Sequence, residues 1–188
     1  MDIVLFLMLL LQGIFMLVIS VLGLISIYFM INSGFMRTPP PVPSSGKIKT
    51  TMLQDVEKIL SKRKNQVVMD LGSGWGTLLL PLAKKFPQHR FIGVEHGFLP
   101  CWISKLRARK MNNITFLRQD FFNTDISKAD VIFLFLMTKL MNKIAAKCQS
   151  ETRKGTLIYA NRFPMKSIKP ERKVSLGSKF YTYYVYKM

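Results

Sequence analysis

The chain has 188 residues and a formal net charge of +18 at pH 7, and 49% of its residues are hydrophobic. This length accommodates one compact domain with additional segments. Cys101 and Cys148 are isolated from each other and are expected to be free thiols in the core, and two histidines are too few for a histidine-rich metal site. We therefore expect neither a disulfide nor a bound metal.

The first predicted element is an apolar helix over residues 1–32. Residues 3–31 carry no charge, and about 20 apolar residues in a helix are enough to span a bilayer core. A secretory signal peptide is the alternative, but it would need a basic start, a shorter apolar core and a small-residue cleavage site. The only charged residue ahead of the run is Asp2, so we expect a retained transmembrane helix.

The charges that follow the span predict its orientation. Arg37, Lys47 and Lys49 come after it, and no Lys or Arg precedes it. The positive-inside tendency then places the N-terminus outside and the rest of the chain in the cytoplasm. A single-pass protein of a bacterial inner membrane is the favoured interpretation. A mitochondrial inner membrane with the domain on the matrix side is the alternative.

The segment after the span is strongly basic. It carries all 28 Lys and Arg and nine of the ten acidic residues, which gives a net charge of +19. Anionic lipid headgroups are the favoured partner, since each basic residue near such a surface contributes about 1 kcal/mol. A general basic bias and nucleic-acid binding are the alternatives, and the membrane anchor argues against nucleic acid.

Residues 33–49 are predicted to form a Pro-rich linker, because their prolines do not sustain a helix and favour an extended path. A folded domain is expected over residues 50–188. It begins with an amphipathic helix over residues 50–64, in which apolar side chains recur at helical spacing. These side chains are Met52, Leu53, Val56, Ile59 and Leu60.

Strands and helices then alternate along the chain. This alternation predicts an α/β fold with a Rossmann-like, doubly wound and mostly parallel sheet that carries helices on both faces. Residues 173–187 predict two short strands around Gly177 and Ser178, which would end the sheet as an antiparallel hairpin. The predicted strands are 66–71, 90–95, 114–118, 130–136 and 155–160, and the predicted helices are 75–86, 98–111 and 138–148.

The stretch "VVMDLGSGWGTLLLPLAKKF", residues 67–86, predicts a strand, a tight turn and a helix. Its glycines are Gly72, Gly74 and Gly76. A glycine turn at this place presents backbone N–H groups at the start of a helix, where they attract an anionic group. A triphosphate site would need a Lys after the turn, and a dinucleotide site would need a glycine where Thr77 stands.

S-adenosylmethionine is the third ligand that uses such a turn. Its single carboxylate needs fewer N–H donors than a pyrophosphate, and Ser73 lies inside the turn that would bind it. Its ammonium needs an acceptor, which Asp70 can provide. Glu95 ends the second strand, where an acid can accept hydrogen bonds from ribose hydroxyls. A solvated strand end is the alternative interpretation of Glu95.

Two further residues follow the third strand. Asp120 can accept a hydrogen bond from the adenine amino group while Phe121 packs against the ring. Helix capping by Asp120 and core packing by Phe121 are the alternatives. His96, directly after Glu95, can lie over the adenine or be a loop histidine without a role. Acids and glycines at the ends of three successive strands together favour an S-adenosylmethionine site.

These residues carry a resemblance to a known family. The order V-x-D-L-G-S-G-x-G, an acid that ends strand two and an aspartate after strand three resembles the class I S-adenosylmethionine-dependent methyltransferases over about residues 66–136. The segments "PPPVPSSGKIKTTML", "DLGSGWG", "ADVIFLFL" and "NRFP" look like the membrane-anchored lysine N-methyltransferases that modify the c-type subunit of ATP synthase and the adenine nucleotide translocase. Trp75 stands where that family usually has an acid, and "LMTKL" replaces its prolyl turn.

The resemblance implies a membrane-anchored methyltransferase that acts on a lysine of a membrane protein. Arg162 and Phe163 are candidates to line the acceptor channel, with a turn and an exposed arginine as the alternative; no catalytic base is identified. Trp75 either covers the methionine moiety or packs under the first helix. The competing functions are methylation of a lipid or small molecule at the membrane and a non-catalytic, basic, membrane-tethered binding module.

Overall fold

A computed structural model describes residues 2–32, 46–177 and 181–188, without the side chains of residues 29–32. The chain divides into two units, Met1–Val42 and Pro43–Met188. The described part of the first unit is one long helix. Within it, Ile3–Tyr28 has a mean hydropathy of 2.7 and is long and apolar enough to cross a membrane. Residues 33–45 of the predicted linker lie outside the described residues.

The described residues form five α-helices and seven strands. The helices are α1 (Ile3–Asn32), α2 (Gly46–Leu60), α3 (Leu79–Lys85), α4 (Phe98–Ala108) and α5 (Thr138–Glu151), with a short 3-10 helix at Phe121–Asn123. The strands are β1 (Val67–Leu71), β2 (Arg90–Glu95), β3 (Ile114–Arg118), β4 (Val131–Leu134), β5 (Leu157–Asn161), β6 (Arg172–Ser175) and β7 (Thr182–Lys187).

All seven strands lie in one sheet with the order β3-β2-β1-β4-β5-β7-β6. Strands β1 to β5 pair in parallel, whereas β7 pairs antiparallel with both β5 and β6. The predicted mostly parallel sheet and its antiparallel ending are therefore confirmed. The carboxyl ends of the five parallel strands meet at one edge of the sheet, where α/β folds bind their ligands.

Two apolar layers cover the faces of the sheet. Successive strand residues point to opposite faces, so Val68 packs in the layer that contains α2, α3 and α4, and Met69 packs in the layer that contains α5. Both faces of the parallel strands are covered, which explains their nearly continuous apolar sequences. Cys101 in the first layer and Cys148 in the second are buried free thiols, as expected.

Two helices begin four residues away from their predicted starts. Helix α2 begins at Gly46, four residues earlier than expected, because its buried stripe starts at Ile48 and continues every fourth residue through Met52. Helix α3 begins at Leu79 instead of residue 75. The reason is Gly76, whose φ of +71° lies outside the helical region.

Asp55 joins α2 to the antiparallel end of the sheet. Its Oδ2 accepts hydrogen bonds from the hydroxyls of Tyr159 and Tyr183, both at 3.3 Å, and also pairs with Arg172. Burial, followed by the charge of Asp55, raises the pKa of Tyr183 to about 12. Burial also raises the pKa of Tyr159, so both tyrosines stay protonated at neutral pH and serve as donors to this carboxylate.

Candidate active site

The glycine turn leaves β1 and is fixed to the end of β2. The N–H groups of Gly72 and Ser73 both donate to the carbonyl oxygen of Val94, at 2.8 and 2.9 Å. Gly72 has a φ of +96° and Gly74 a φ of +52°, which side chains with a Cβ rarely adopt. The sequence therefore places glycine where the chain reverses direction at the carboxyl edge of the sheet.

The space beneath the turn is filled, whereas the space above it is open. A Cβ added to Gly93 would lie 2.4 Å from Cδ1 of Phe116 and 2.8 Å from Oγ of Ser73. A Cβ on Gly74 would meet nothing within 4 Å. The Ser73 Oγ is buried and has no hydrogen-bond partner within the described residues. The turn thus combines a tightly packed base with an open side that has room for a ligand.

Glu95 ties the turn to the loop that follows β2. Its Oε2 accepts a hydrogen bond from the N–H of Gly74 at 2.9 Å, and its Oε1 accepts one from the N–H of Gly97 at 2.7 Å. A carboxylate has about four lone-pair sites. Glu95 can therefore accept further hydrogen bonds, such as those of two ribose hydroxyls, without releasing either backbone donor.

Asp70 is a buried acid, with 6% of its surface exposed, at the end of β1. Burial, followed by the charge of Glu95, raises the pKa of the Asp70 carboxyl to about 7, and the charge of Lys49 opposes this rise. Such an environment is favourable for a cationic group that enters the site, because that cation would stabilise the ionised carboxylate.

Two basic residues near the turn were not predicted from the sequence. Lys49 interacts electrostatically with both Asp70 and Arg107, and its pKa is lowered by burial and then by Arg107. The Arg107 Nη1 donates a hydrogen bond to the carbonyl oxygen of Trp75 at 2.7 Å. The sequence pattern places Lys49 in the linker. Its neighbour Ile48 is four residues before Met52, and this helical spacing could have indicated that Lys49 belongs to α2.

Asp120 and Phe121 have the structural roles that were named as alternatives. Asp120 Oδ1 accepts a hydrogen bond from the N–H of Phe122 at 2.9 Å and so caps the 3-10 helix. Phe121 is half-buried, and its ring centroid lies 4.6 Å from that of Phe122. Asp120 itself is exposed, as is His96 after β2. These roles leave the second Asp120 oxygen available to a ligand at the sheet edge.

Arg162 follows β5 in a left-handed backbone conformation with a φ of +69°. The N–H of Phe163 donates to the carbonyl oxygen of Asn161 at 2.8 Å, which closes a three-residue turn centred on Arg162. The Arg162 guanidinium lies 5.5 Å from the ring centroid of Phe163. A non-glycine residue at such a φ is strained, and strain of this kind concentrates at functional sites.

The predicted site residues lie at the ends of parallel strands, or just after them, at the same edge of the sheet. The open glycine turn with the Ser73 hydroxyl, the buried Asp70 and the Glu95 carboxylate fit the carboxylate, the ammonium and the ribose of S-adenosylmethionine, in that order. Fold and site together define a class I S-adenosylmethionine-dependent methyltransferase, and its cofactor is S-adenosylmethionine.

The particular family follows from a family model, the ANTKMT methyltransferase domain, which matches residues 70–172. The chain belongs to this family. It is 29% identical over 159 residues to a protein-lysine N-methyltransferase of Saccharolobus islandicus, a match that covers 78% of this chain and 92% of that protein. It is 27% identical over 135 residues to the Xenopus laevis lysine N-methyltransferase of the c-type subunit of ATP synthase, and this match covers 70% of this chain and 57% of the relative.

A solved structure has the same fold. An RNA methyltransferase from Salinibacter ruber, in complex with S-adenosyl-L-homocysteine, superposes with a TM-score of 0.68 at 25% identity. The superposition covers 78% of this chain and 93% of that protein. The predicted methyltransferase class, its cofactor and the resemblance to the lysine methyltransferases are confirmed by these comparisons.

Proposed function

We propose that this protein is a membrane-anchored protein-lysine N-methyltransferase whose acceptor is a membrane protein. The observation that carries the proposal is the family match over residues 70–172, together with two curated relatives that are both lysine methyltransferases. The apolar helix α1 adds the anchor, since Ile3–Tyr28 is long enough to span a bilayer. Lysine is proposed as the acceptor because the relatives methylate lysine, whereas the cofactor is also supported by the residues at the carboxyl edge of the sheet.

In this proposal the cofactor lies along the carboxyl edge of the sheet. Asp70 accepts from the ammonium, and the glycine turn with Lys49 binds the carboxylate. Glu95 accepts from the ribose hydroxyls. Asp120, with Phe121 and His96 beside it, binds the adenine.

The cofactor supplies, when bound, a methyl group on a positively charged sulfur, so the protein has to orient the acceptor and exclude water. A lysine must first lose a proton. Taking a group of pKa about 10.4 to its neutral form at pH 7 costs about 4.6 kcal/mol. A positively charged, apolar surrounding lowers the acceptor's pKa and reduces this cost. Arg162, held over the Phe163 ring, supplies both properties at the end of β5.

The anchor determines where the enzyme meets its acceptor. A membrane tether confines catalytic domain and membrane-borne acceptor to one surface, which raises their effective concentration. In the favoured arrangement the N-terminus lies outside and the catalytic domain lies in the cytoplasm, at a bacterial inner membrane. Anionic lipid headgroups are the proposed partners of the basic domain.

The decisive experiment incubates the purified full chain with methyl-labelled S-adenosylmethionine and native membranes. We expect label in a membrane protein, and peptide mass spectrometry should assign it to a lysine side chain. Glu95→Ala should abolish labelling, whereas Glu171→Ala, which removes an exposed acid, should not. Label found only in the lipid extract would assign the acceptor to lipid. Cofactor binding without any transfer would leave the binding-module function.

A further inference from the structure

Helix α4 exposes an apolar stripe to solvent. Phe98, Trp102 and Leu106 recur every fourth residue, and each is about half exposed, at 46%, 53% and 47%. The opposite side of the helix is buried and packs in the layer over the sheet through Cys101 and Ala108. Helix α4 therefore has two apolar faces: one packs in the core, and the other is exposed to solvent.

The helix that carries this stripe is basic, and the acids Glu95 and Asp120 lie just outside its neighbourhood in the chain. Residues 96–119 include five Lys and Arg and no acidic residue. At about 100° per residue, Lys105 and Arg109 project to the same side of the helix as Phe98. The Arg118 guanidinium lies 5.2 Å from the Phe98 ring centroid. Apolar side chains interleaved with cations, and no acid on the helix itself, match the chemistry of an anionic lipid surface.

We propose that this α4 face, defined as Phe98, Trp102, Leu106, Lys105 and Arg109, docks on the anionic surface of the bilayer that α1 spans. The proposal rests on the membrane anchoring proposed above and names the surface that meets the lipid. All five residues belong to the second unit, Pro43–Met188.

Lipid explains the composition of the α4 face better than a protein partner does. Tryptophan favours the headgroup region of a bilayer, where its apolar body is buried and its N–H stays hydrated. Lys and Arg extend their apolar stems over such a surface and keep the charge among the phosphates. Protein–protein interfaces, in contrast, are depleted of lysine and pair their arginines with acids.

Docking through this face would act on the catalytic site directly. Helix α4 follows β2 after only two residues, and β2 ends at Glu95. The same helix contributes Arg107, whose side chain donates to the turn at Trp75. A docked α4 thus holds the cofactor end of the sheet at the level of the headgroups, where a membrane-embedded acceptor presents its lysine.

Trp102 itself is the probe for the test. The chain has two tryptophans, so Trp75→Phe leaves Trp102 as the only tryptophan emitter in the full chain. This protein is reconstituted into vesicles of phosphatidylcholine, with or without phosphatidylglycerol, that contain a lipid with a nitroxide near the headgroup. We expect Trp102 emission to shift to the blue and to be quenched only where phosphatidylglycerol is present.

A charge variant and a matched control test the assignment to this face. Lys105→Gln with Arg109→Gln should lower the ratio of docked to undocked protein by about 25-fold, at about five-fold per basic residue. Lys139→Gln with Lys143→Gln removes the same charge from exposed positions of α5, in the opposite layer. This control should leave the quenching unchanged.

The remaining outcomes overturn the proposal. Equal quenching in neutral and anionic vesicles would show that the α4 face does not recognise anionic lipid. An equal loss of quenching in the α5 control would show that the two cations of the α4 face have no special role. A blue shift that needs no lipid and grows with protein concentration would assign the face to a second copy. A shift that needs an added acceptor protein would assign it to that protein. If the full chain floats with the vesicles while Trp102 stays unquenched, only the docking of the α4 face is refuted. If the chain does not float, the membrane anchor is refuted as well.

Discussion

Lowering the pH from 7 to 5 should weaken the binding of S-adenosylmethionine, because Asp70 becomes protonated over this range. With a pKa of about 7, roughly half of the Asp70 carboxyls are ionised at pH 7 and roughly 1% at pH 5. The cofactor's amino group, with a pKa of about 7.7–8.0, stays charged throughout. If binding requires the carboxylate, affinity falls about 50-fold, which is about 2.3 kcal/mol.

Stability should respond in the opposite direction. Asp70 has a higher pKa in the folded protein than the 3.8 of the free side chain. The folded state therefore binds more protons between the two values, and the free energy of unfolding falls as the pH rises from about 4 to 7. Above pH 7 the ionised, buried Asp70 costs about 4 kcal/mol. Asp70→Asn should remove this cost and so stabilise the cofactor-free protein at pH 8.

Titration calorimetry of the full chain across this pH range measures the first effect, and urea unfolding at pH 5 and pH 8 measures the second. Asp70→Asn should bind the cofactor weakly and without pH dependence, while it unfolds at higher urea than the wild type at pH 8. Asp125→Asn is the matched control, because Asp125 is an exposed acid that pairs with Ser127. An affinity that is flat from pH 5 to 7, or an Asp70→Asn protein less stable at pH 8, would refute the reasoning.

Three further substitutions test other parts of the structure. Gly93→Ala places a Cβ 2.4 Å from Phe116 and should cost roughly 2–3 kcal/mol in urea unfolding. Asp55→Asn leaves Arg172 and two tyrosines without their carboxylate and should cost roughly 2–3 kcal/mol in the same assay. Arg162→Gly relieves the left-handed backbone and should stabilise by about 1 kcal/mol, while methyl transfer falls and cofactor affinity, measured by calorimetry, stays unchanged.

Each of these substitutions has a control. Phe116→Leu in the Gly93→Ala background should recover part of the lost stability, since it removes the ring from the clash. Glu57→Gln breaks an exposed pair with Lys85 and should cost far less than Asp55→Asn. An Arg162→Gly protein with wild-type transfer rates would exclude Arg162 from the acceptor channel.

The parallel core of the fold was predictable because its strands are short, apolar and bounded by turn residues. Strands β2 and β3 match the predicted 90–95 and 114–118 at both ends. The two helix starts were not predictable from local pattern. The burial of Ile48 depends on a sheet that forms later in the chain. Gly76 packs against Phe116, 40 residues further on, so closely that an added Cβ would lie 2.6 Å from its ring.

The site shows the same division. Asp70, Glu95 and Asp120 could be placed from the sequence, since parallel strands bring their carboxyl ends to one edge. The raised pKa of Asp70 could not, because it results from burial and from the proximity of Glu95. The contact of Arg107 with Trp75 joins residues 32 positions apart, and nothing in either local sequence indicates it.

The carboxylate of Glu95 has a consequence for the kinetics of binding. It already accepts hydrogen bonds from the N–H groups of Gly74 and Gly97 in the free protein, so the two loops that flank the proposed ribose position are held together before any ligand arrives. A preorganised site spends little binding free energy on ordering its own backbone. Association should therefore proceed in a single step, without a slow closing phase. Glu95→Gln, which disturbs these two hydrogen bonds, should introduce such a phase.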